Sequence, residues 1–248
     1  MALETNETDK INAVLTDNPR VNIFLQPIAA PAALGLAGFA GSTFITASWV
    51  ARWWGGPDSP LVFFPFVGLW GGLAQFIAGM YGFRARDVLV TVVHGMWGAF
   101  WMSIGVLYAF VAAGTMPAHG IHEHFPELAS WFIVVTCFTW SAAIAATARD
   151  IILSVMLFSL AIGSTIALCL FDYNPGVSAG IKAAAYFWII AACLAWWRTT
   201  VYLMEEAYGK GKVVKYFPVF RVPTEKGAPL LVPGLGEPGV KRGMPGVI

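Results

Sequence analysis

Residues 128–171 consist of LASWFIVVTCFTWSAAIAATA, the charged pair Arg149-Asp150, and IILSVMLFSLAIGSTIALCLF. The two runs on either side of that pair are each 21 residues long, and neither contains a charged residue. An α-helix of about 20 apolar residues is long enough to cross the hydrocarbon core of a bilayer. The stretch therefore predicts two membrane-spanning helices joined by a very short polar turn.

Four more stretches have the same character, at residues 30–51, 59–83, 88–114 and 177–197. Lys182 is their one Lys, Arg, Asp or Glu, and it lies near the start of the last stretch, where its charged end can reach the membrane interface. The runs are too long for the strands of a β-barrel and do not alternate as such strands do. We predict an all-α integral membrane bundle of six transmembrane helices.

The composition supports a membrane protein and excludes several other classes. Of the 248 residues, 58% are apolar and 12% are charged, and the mean hydropathy is +0.68. The charged share is about half that of a soluble domain, and disordered chains are poor in apolar residues. A net charge of +1 argues against a nucleic-acid partner, which would select a basic surface.

The distribution of Lys and Arg predicts the topology. These residues concentrate in residues 1–29, in the second and fourth loops, and in the C-terminal segment, whereas the loop at 115–127 has none. Both termini are then cytoplasmic, and the protein is a multi-pass protein of the plasma membrane. We predict a cytoplasmic arm (1–29), a transmembrane domain (30–204) and a Gly/Pro-rich cytoplasmic tail (205–248).

Few side chains in the predicted spans could carry chemistry. The spans contain no Asp or Glu, so a carboxylate relay is not predicted there. His94 and Gln75 are buried polar candidates, and either could be a packed core residue or line a path. Cys137, Cys169 and Cys193 are expected to be small buried hydrophobes. No nucleophile–base pair or phosphate-binding loop is visible, so neither an enzyme nor a cofactor is predicted.

Two other patterns allow alternative interpretations. Small residues recur at Gly35, Gly38 and Gly41 and again at Gly68 and Gly72. Such faces let helices approach closely, either within one subunit, at a subunit interface or beside a narrow pore. A loop contains three histidines that could bind zinc or copper, although their spacing matches no strong motif. These weak metal candidates are His119, His122 and His124.

Four segments resemble the acetate uptake transporter family, which includes bacterial acetate–succinate permeases and fungal acetate and ammonia-export-type proteins. The most specific is GGLAQFIAGM at 71–80, followed by Phe83-Arg84. The others are PAALGLAGF at 31–39, WGAFW at 97–101 and LFSL at 157–160. Together they extend, in order, over roughly residues 29–217.

The resemblance implies six-helix protomers, assembled as a homo-hexamer in the lipid bilayer, each with its own path for a small carboxylate. It implies that Phe39, Trp97 and Leu160 narrow this path, and we expect Gln75 and His94 to be the polar groups beside them. It also implies an entrance motif at the first helix, formed by Pro31, Leu34, Gly35 and Leu36. The chain departs from the family pattern where Trp97 replaces a Tyr and Ala30 replaces an Asn.

The leading interpretation is a channel-like permease for small carboxylates of the acetate and succinate class. An alternative is a non-transporting membrane scaffold, or a subunit of a larger assembly that uses its C-terminal tail. A membrane metalloenzyme built on the histidine loop is a third hypothesis.

Overall fold

The computed structural model describes residues 28–117, 125–173 and 178–222. Within these ranges, six helices are long and apolar enough to cross a membrane, which confirms the predicted six-helix bundle and a multi-pass membrane protein. They are α1 (Pro31–Val50), α2 (Ser59–Arg84), α3 (Val88–Ala112), α4 (Pro126–Ala146), α5 (Ile151–Tyr173) and α6 (Ser178–Tyr208). A short helix, α7 (Lys210–Tyr216), follows α6.

The second helix changes its hydrogen-bonding pattern near its middle. Residues Ser59–Val67 and Ala74–Arg84 are α-helical, and the six residues Gly68–Leu73 between them form a π-helical turn. A π-helical turn is wider than an α-helical one and is rare outside functional positions. It follows Pro65, which has no backbone N–H and disturbs the preceding turn.

Glycines on α2 and α3 form a seam where the two helix backbones touch. A Cβ atom at Gly98 would lie 2.5 Å from the backbone nitrogen of Phe76, and one at Gly79 would lie 2.5 Å from that of Gly95. The facing pairs are Gly68 with Gly105, Gly72 with Gly98, and Gly79 with Gly95. Of the alternatives left open by the sequence, this small-residue face serves packing within one subunit.

Two aspartates begin helices and also bind arginines. Asp87 accepts a hydrogen bond from Val90 N at the start of α3, and Asp150 accepts one from Leu153 N at the start of α5. Asp87 also forms a two-pronged ion pair with Arg149, with Oδ2 3.0 Å from Nη1. Asp150 forms an ion pair with Arg198 on α6, with Oδ2 2.9 Å from Nη2. We call this side of the bundle the ion-pair end.

The helical fold continues beyond the predicted boundary at residue 204, and a strap of residues 217–222 then lies across the ion-pair end. The strap is bound through its backbone, since Val222 N donates to Arg149 O at 2.8 Å and Ile151 N donates to Phe220 O at 3.3 Å. Arg221 forms an ion pair with Glu205 at 2.6 Å. The first part of the predicted tail is therefore ordered on the bundle.

The three cysteines do not lie in the core of the chain. Cys137, Cys169 and Cys193 are all exposed on the outer surface of the bundle, so the expectation that they are buried is wrong for a single chain. The physical reason is that lipid is itself apolar, so the outward faces of a membrane helix are as hydrophobic as its inward faces.

Candidate solute path

Three apolar side chains from three helices form a layer inside the bundle. Phe39 on α1, Trp97 on α3 and Leu160 on α5 are all at most 2% exposed. The rings of Phe39 and Trp97 meet edge to face, with centroids 6.4 Å apart and planes at 73°. Trp97 and Leu160 line the same cavity. The structure therefore brings together the three residues that the resemblance assigned to one constriction.

Trp97 is held in this layer by its polar atom as well as by its rings. Its indole Nε1 donates to Oγ1 of Thr139 on α4 at 3.1 Å, and that hydroxyl donates in turn to the backbone oxygen of Val135 at 2.6 Å. Phe100, one turn further along α3, packs edge to face on Trp97 at 5.4 Å. The orientation of the indole is thus fixed from two sides.

One side of the layer opens into a cavity of about 40 Å³, here called the aromatic cavity. Its wall is largely aromatic, but it includes Thr43 and Thr46 of α1 and Trp101 of α3. The Oγ1 atoms of both threonines and Nε1 of Trp101 have no hydrogen-bond partner among the described residues, although they are buried. Buried polar atoms without partners are costly, and water or a polar solute can satisfy them.

The other side opens into a cavity of about 30 Å³ toward the ion-pair end, here called the arginine cavity. Leu36, His94 and Leu157 line it, and each lies three residues before a member of the Phe39–Trp97–Leu160 layer. Residues three apart share one helix face in successive turns. The apolar layer is therefore one helical turn thick and separates the two cavities.

The arginine cavity also receives Arg149 from the α4–α5 turn and Arg198 from α6. Both guanidinium groups are bound to the capping aspartates described above. Neither arginine is among the path residues predicted from the sequence. A detectable signal was present, since Ala-Arg-Asp occurs at 85–87 and again at 148–150, each time directly before a helix.

Of the two polar residues expected beside the path, His94 lines the arginine cavity and Gln75 lines neither cavity. His94 is 4% exposed, lines the arginine cavity and packs on Gly35, where a Cβ atom would lie 2.5 Å from the imidazole ring. Gln75 is fully buried, and neither polar atom of its amide has a hydrogen-bond partner among the described residues.

The residues of the first-helix motif divide between two faces. Pro31 is the first residue of α1, where its missing N–H costs nothing. Gly35 and Leu36 face inward, toward His94 and the arginine cavity, whereas Leu34 is 48% exposed on the outer face. The candidate metal ligands His119, His122 and His124 lie outside the described residues.

Comparison with known proteins identifies the family. The model of the GPR1/FUN34/yaaH family matches residues 16–218, which is most of the chain. The chain belongs to this family. The GPR1/FUN34/yaaH match includes all six helices and every residue of the apolar layer.

Curated relatives in this family include fungal proteins. The chain is 26% identical over 178 residues to ammonia transport outward protein 2 of Saccharomyces cerevisiae, and the match covers 68% of the chain and 59% of that protein. It is 25% identical over 182 residues to meiotically up-regulated gene 86 protein of Schizosaccharomyces pombe, covering 67% and 56%. The chain thus spans less than two thirds of the length of these relatives.

A solved structure has the same fold. The bacterial acetate channel SatP superposes with a TM-score of 0.64, and the match covers 74% of this chain and 97% of that one. Their sequence identity is 20%, so the likeness shows a shared fold alone.

Proposed function

We propose that this protein is a channel-like transporter for small carboxylates of the acetate and succinate class. The observation that carries the proposal is the apolar Phe39–Trp97–Leu160 layer between two cavities, each with buried polar atoms that lack partners. The names of two relatives, an ammonia transport outward protein and an acetate channel, point to transport of small solutes rather than to catalysis.

The chemistry of the layer suits a small weak acid. An apolar constriction excludes hydrated inorganic ions because they do not give up their water there. A short carboxylic acid can cross after taking up a proton, and its hydrocarbon part tolerates apolar walls. No carboxylate from the chain lines either cavity among the described residues, so anionic or neutral solutes are favoured over metal cations.

A flux assay in proteoliposomes tests this proposal. Purified protein is reconstituted, and the uptake of acetate, succinate, formate, lactate and ammonium is measured with and without a pH gradient. Protein-free liposomes set the background, because protonated acids cross lipid unaided. We expect protein-dependent flux of at least one small carboxylate, and flux of none of them above background contradicts the proposal.

We further propose that the chain forms a homo-hexamer in the plasma membrane with both termini in the cytoplasm. The resemblance supports the hexamer, and the distribution of Lys and Arg supports the orientation. Because the glycines of α2 and α3 are used inside the protomer, contacts between protomers would use outward-facing apolar side chains. Native mass spectrometry from detergent measures the number of chains, and cysteine accessibility from each side measures the orientation.

One observation favours the non-transporting alternative. Trp97 is larger than the Tyr at this position in the family pattern, and its hydrogen bond to Thr139 holds the indole across the layer. A permanently closed layer would suit a membrane scaffold with the strap as its attachment point. The same flux assay separates the two, because a scaffold gives background flux for every solute in the wild type.

A further inference from the structure

One guanidinium group that lines the arginine cavity has a nitrogen without a hydrogen-bond partner among the described residues. Arg198 is 3% exposed and binds Asp150 through Nε at 3.1 Å and Nη2 at 2.9 Å. Its third nitrogen, Nη1, is buried and has no hydrogen-bond partner among the described residues. A buried charged donor without a partner costs free energy, so its presence points to a ligand.

A second donor or acceptor lies on the same cavity. His94 is 4% exposed and lines the cavity, and its Nδ1 also lacks a partner among the described residues. The carboxylates of Asp87 and Asp150 are already bound to arginines and to the first turns of α3 and α5. The polar part of the cavity wall therefore presents cationic and neutral groups, which suits an anion.

The size and the remaining wall restrict which anion fits. A volume of about 30 Å³ holds roughly two water-sized groups, which is the size of a single carboxylate. Leu36, Met156 and Leu157 form the apolar part of the wall. A small monocarboxylate matches both parts, because its oxygens need hydrogen bonds and its short hydrocarbon end does not. A dicarboxylate would place a second charge against leucine and methionine.

We propose that the arginine cavity is a binding site for the carboxylate group of a small monocarboxylate such as acetate or formate. Nη1 of Arg198 donates one hydrogen bond to a carboxylate oxygen, and His94 supplies the second through Nδ1. The site lies one helical turn from Trp97, so a bound acid would lie directly beside the apolar layer. This inference rests on the proposed function, since it assigns a resting position to the transported solute.

The test compares acetate binding by matched arginine-to-lysine variants, measured by calorimetry on detergent-purified protein. Arg198→Lys keeps the positive charge beside Asp150 but removes Nη1. Arg221→Lys makes the same change in the Arg221–Glu205 ion pair, which does not line the cavity. Because a charged hydrogen bond is lost only in the first variant, we expect acetate affinity to fall by about tenfold in Arg198→Lys and to be unchanged in Arg221→Lys. Equal affinities in the two variants overturn the site.

A second variant keeps the test decisive if Arg198→Lys does not fold. His94→Leu removes Nδ1 without breaking an ion pair, and we expect acetate affinity to fall several-fold. Unchanged affinity overturns the assignment. Competition defines the ligand: formate should displace acetate, whereas succinate and chloride should not. Chloride that binds as tightly as acetate, with the same dependence on Arg198, overturns the carboxylate assignment.

The outcomes for this site and for the proposed function remain distinguishable. If the wild type carries acetate flux but its acetate binding does not depend on Arg198 or His94, the site is wrong and the transport function stands. If the wild type binds acetate through Arg198 but no small carboxylate crosses above background, the site stands and the transport function is wrong.

Discussion

Nε1 of Trp97 on α3 donates a hydrogen bond to Oγ1 of Thr139 on α4, at 3.1 Å. This bond joins two helices and holds the indole of Trp97 in the apolar layer. Both residues are at most 2% exposed, so the bond is shielded from water. The position of the indole consequently depends on α4 as well as on the helix that carries it.

Shortening Trp97 should open the layer. In Trp97→Ala we expect faster proteoliposome flux of acetate and of larger acids such as lactate, because the indole no longer separates the two cavities. The substitution also creates a void, which costs roughly 3–5 kcal/mol in buried sites, so thermal stability should fall.

Trp140→Ala is the matched control for this experiment. Trp140 is also a tryptophan in a span and donates to Thr165 at 3.0 Å, but it lines neither cavity. Its replacement should lower stability without raising flux. Unchanged flux of every acid in Trp97→Ala would show that Trp97 does not control passage through the apolar layer.

The Trp97–Thr139 bond can be measured by a double-mutant cycle. Trp97→Phe and Thr139→Val each remove the bond while keeping most of the packing volume. We expect a coupling of roughly 0.5–1.5 kcal/mol in the free energy of unfolding, since each single variant already loses the bond. Flux should rise to a similar degree in each single variant and no further in the double variant. Fully additive effects would show that the two residues act independently.

The glycine seam between α2 and α3 should tolerate no side chain at its centre. In Gly98→Ala the new Cβ meets the backbone of Phe76 at 2.5 Å, and a backbone atom cannot move aside as a flexible side chain can. We expect a large loss of folded yield and of thermal stability. Gly56→Ala is the control, because nothing lies within 4 Å of its Cβ position. Equal stability of the two variants would contradict the seam.

The ion pair at the start of α5 should matter more than an exposed carboxylate at the start of α2. Asp150→Asn leaves the Arg198 guanidinium buried without its counter-charge, which costs about 3–5 kcal/mol when one partner of a buried pair is removed. Asp58→Asn changes an exposed aspartate at the same kind of helix position, where no side-chain cap bond is present. We expect a clear drop in melting temperature for the first variant and none for the second. A drop of equal size in both would show that burial of the pair is not the cause.

The six-helix architecture was predictable because the bilayer imposes one requirement, a long apolar run, that can be counted in the sequence. The ends of the helices were less predictable. Residues 177–197 are predicted as the last span, yet α6 continues to Tyr208, and within this extension Arg198 and Glu205 are paired with Asp150 and Arg221. The end of an apolar run therefore does not mark the end of the helix.

The contacts of the candidate site were only partly accessible from the sequence. Phe39, Trp97 and Leu160 come together from segments far apart in the chain, and the family resemblance, not periodicity, singled them out. The two arginines of the second cavity were missed because charged residues in short turns were used only to assign topology. Which of them faces inward depends on where the helices end, which pattern analysis places least accurately.

The orientation of α2 depends on the number of its residues as well as on their type, and its π-helical turn holds one residue more than an α-helical turn does. Each residue of an α-helix turns the chain by about 100°. Deleting Leu69 alone would let Gly68–Leu73 close into an ordinary α-helical turn. Ala74–Arg84 would then keep its orientation, because the wider π-helical turn holds one more residue at nearly the same total rotation, and Gly79 would still face Gly95. The same deletion within Ala74–Arg84 would instead rotate the residues on one side of it by about 100° relative to those on the other, so that the glycines of α2 could no longer all face α3.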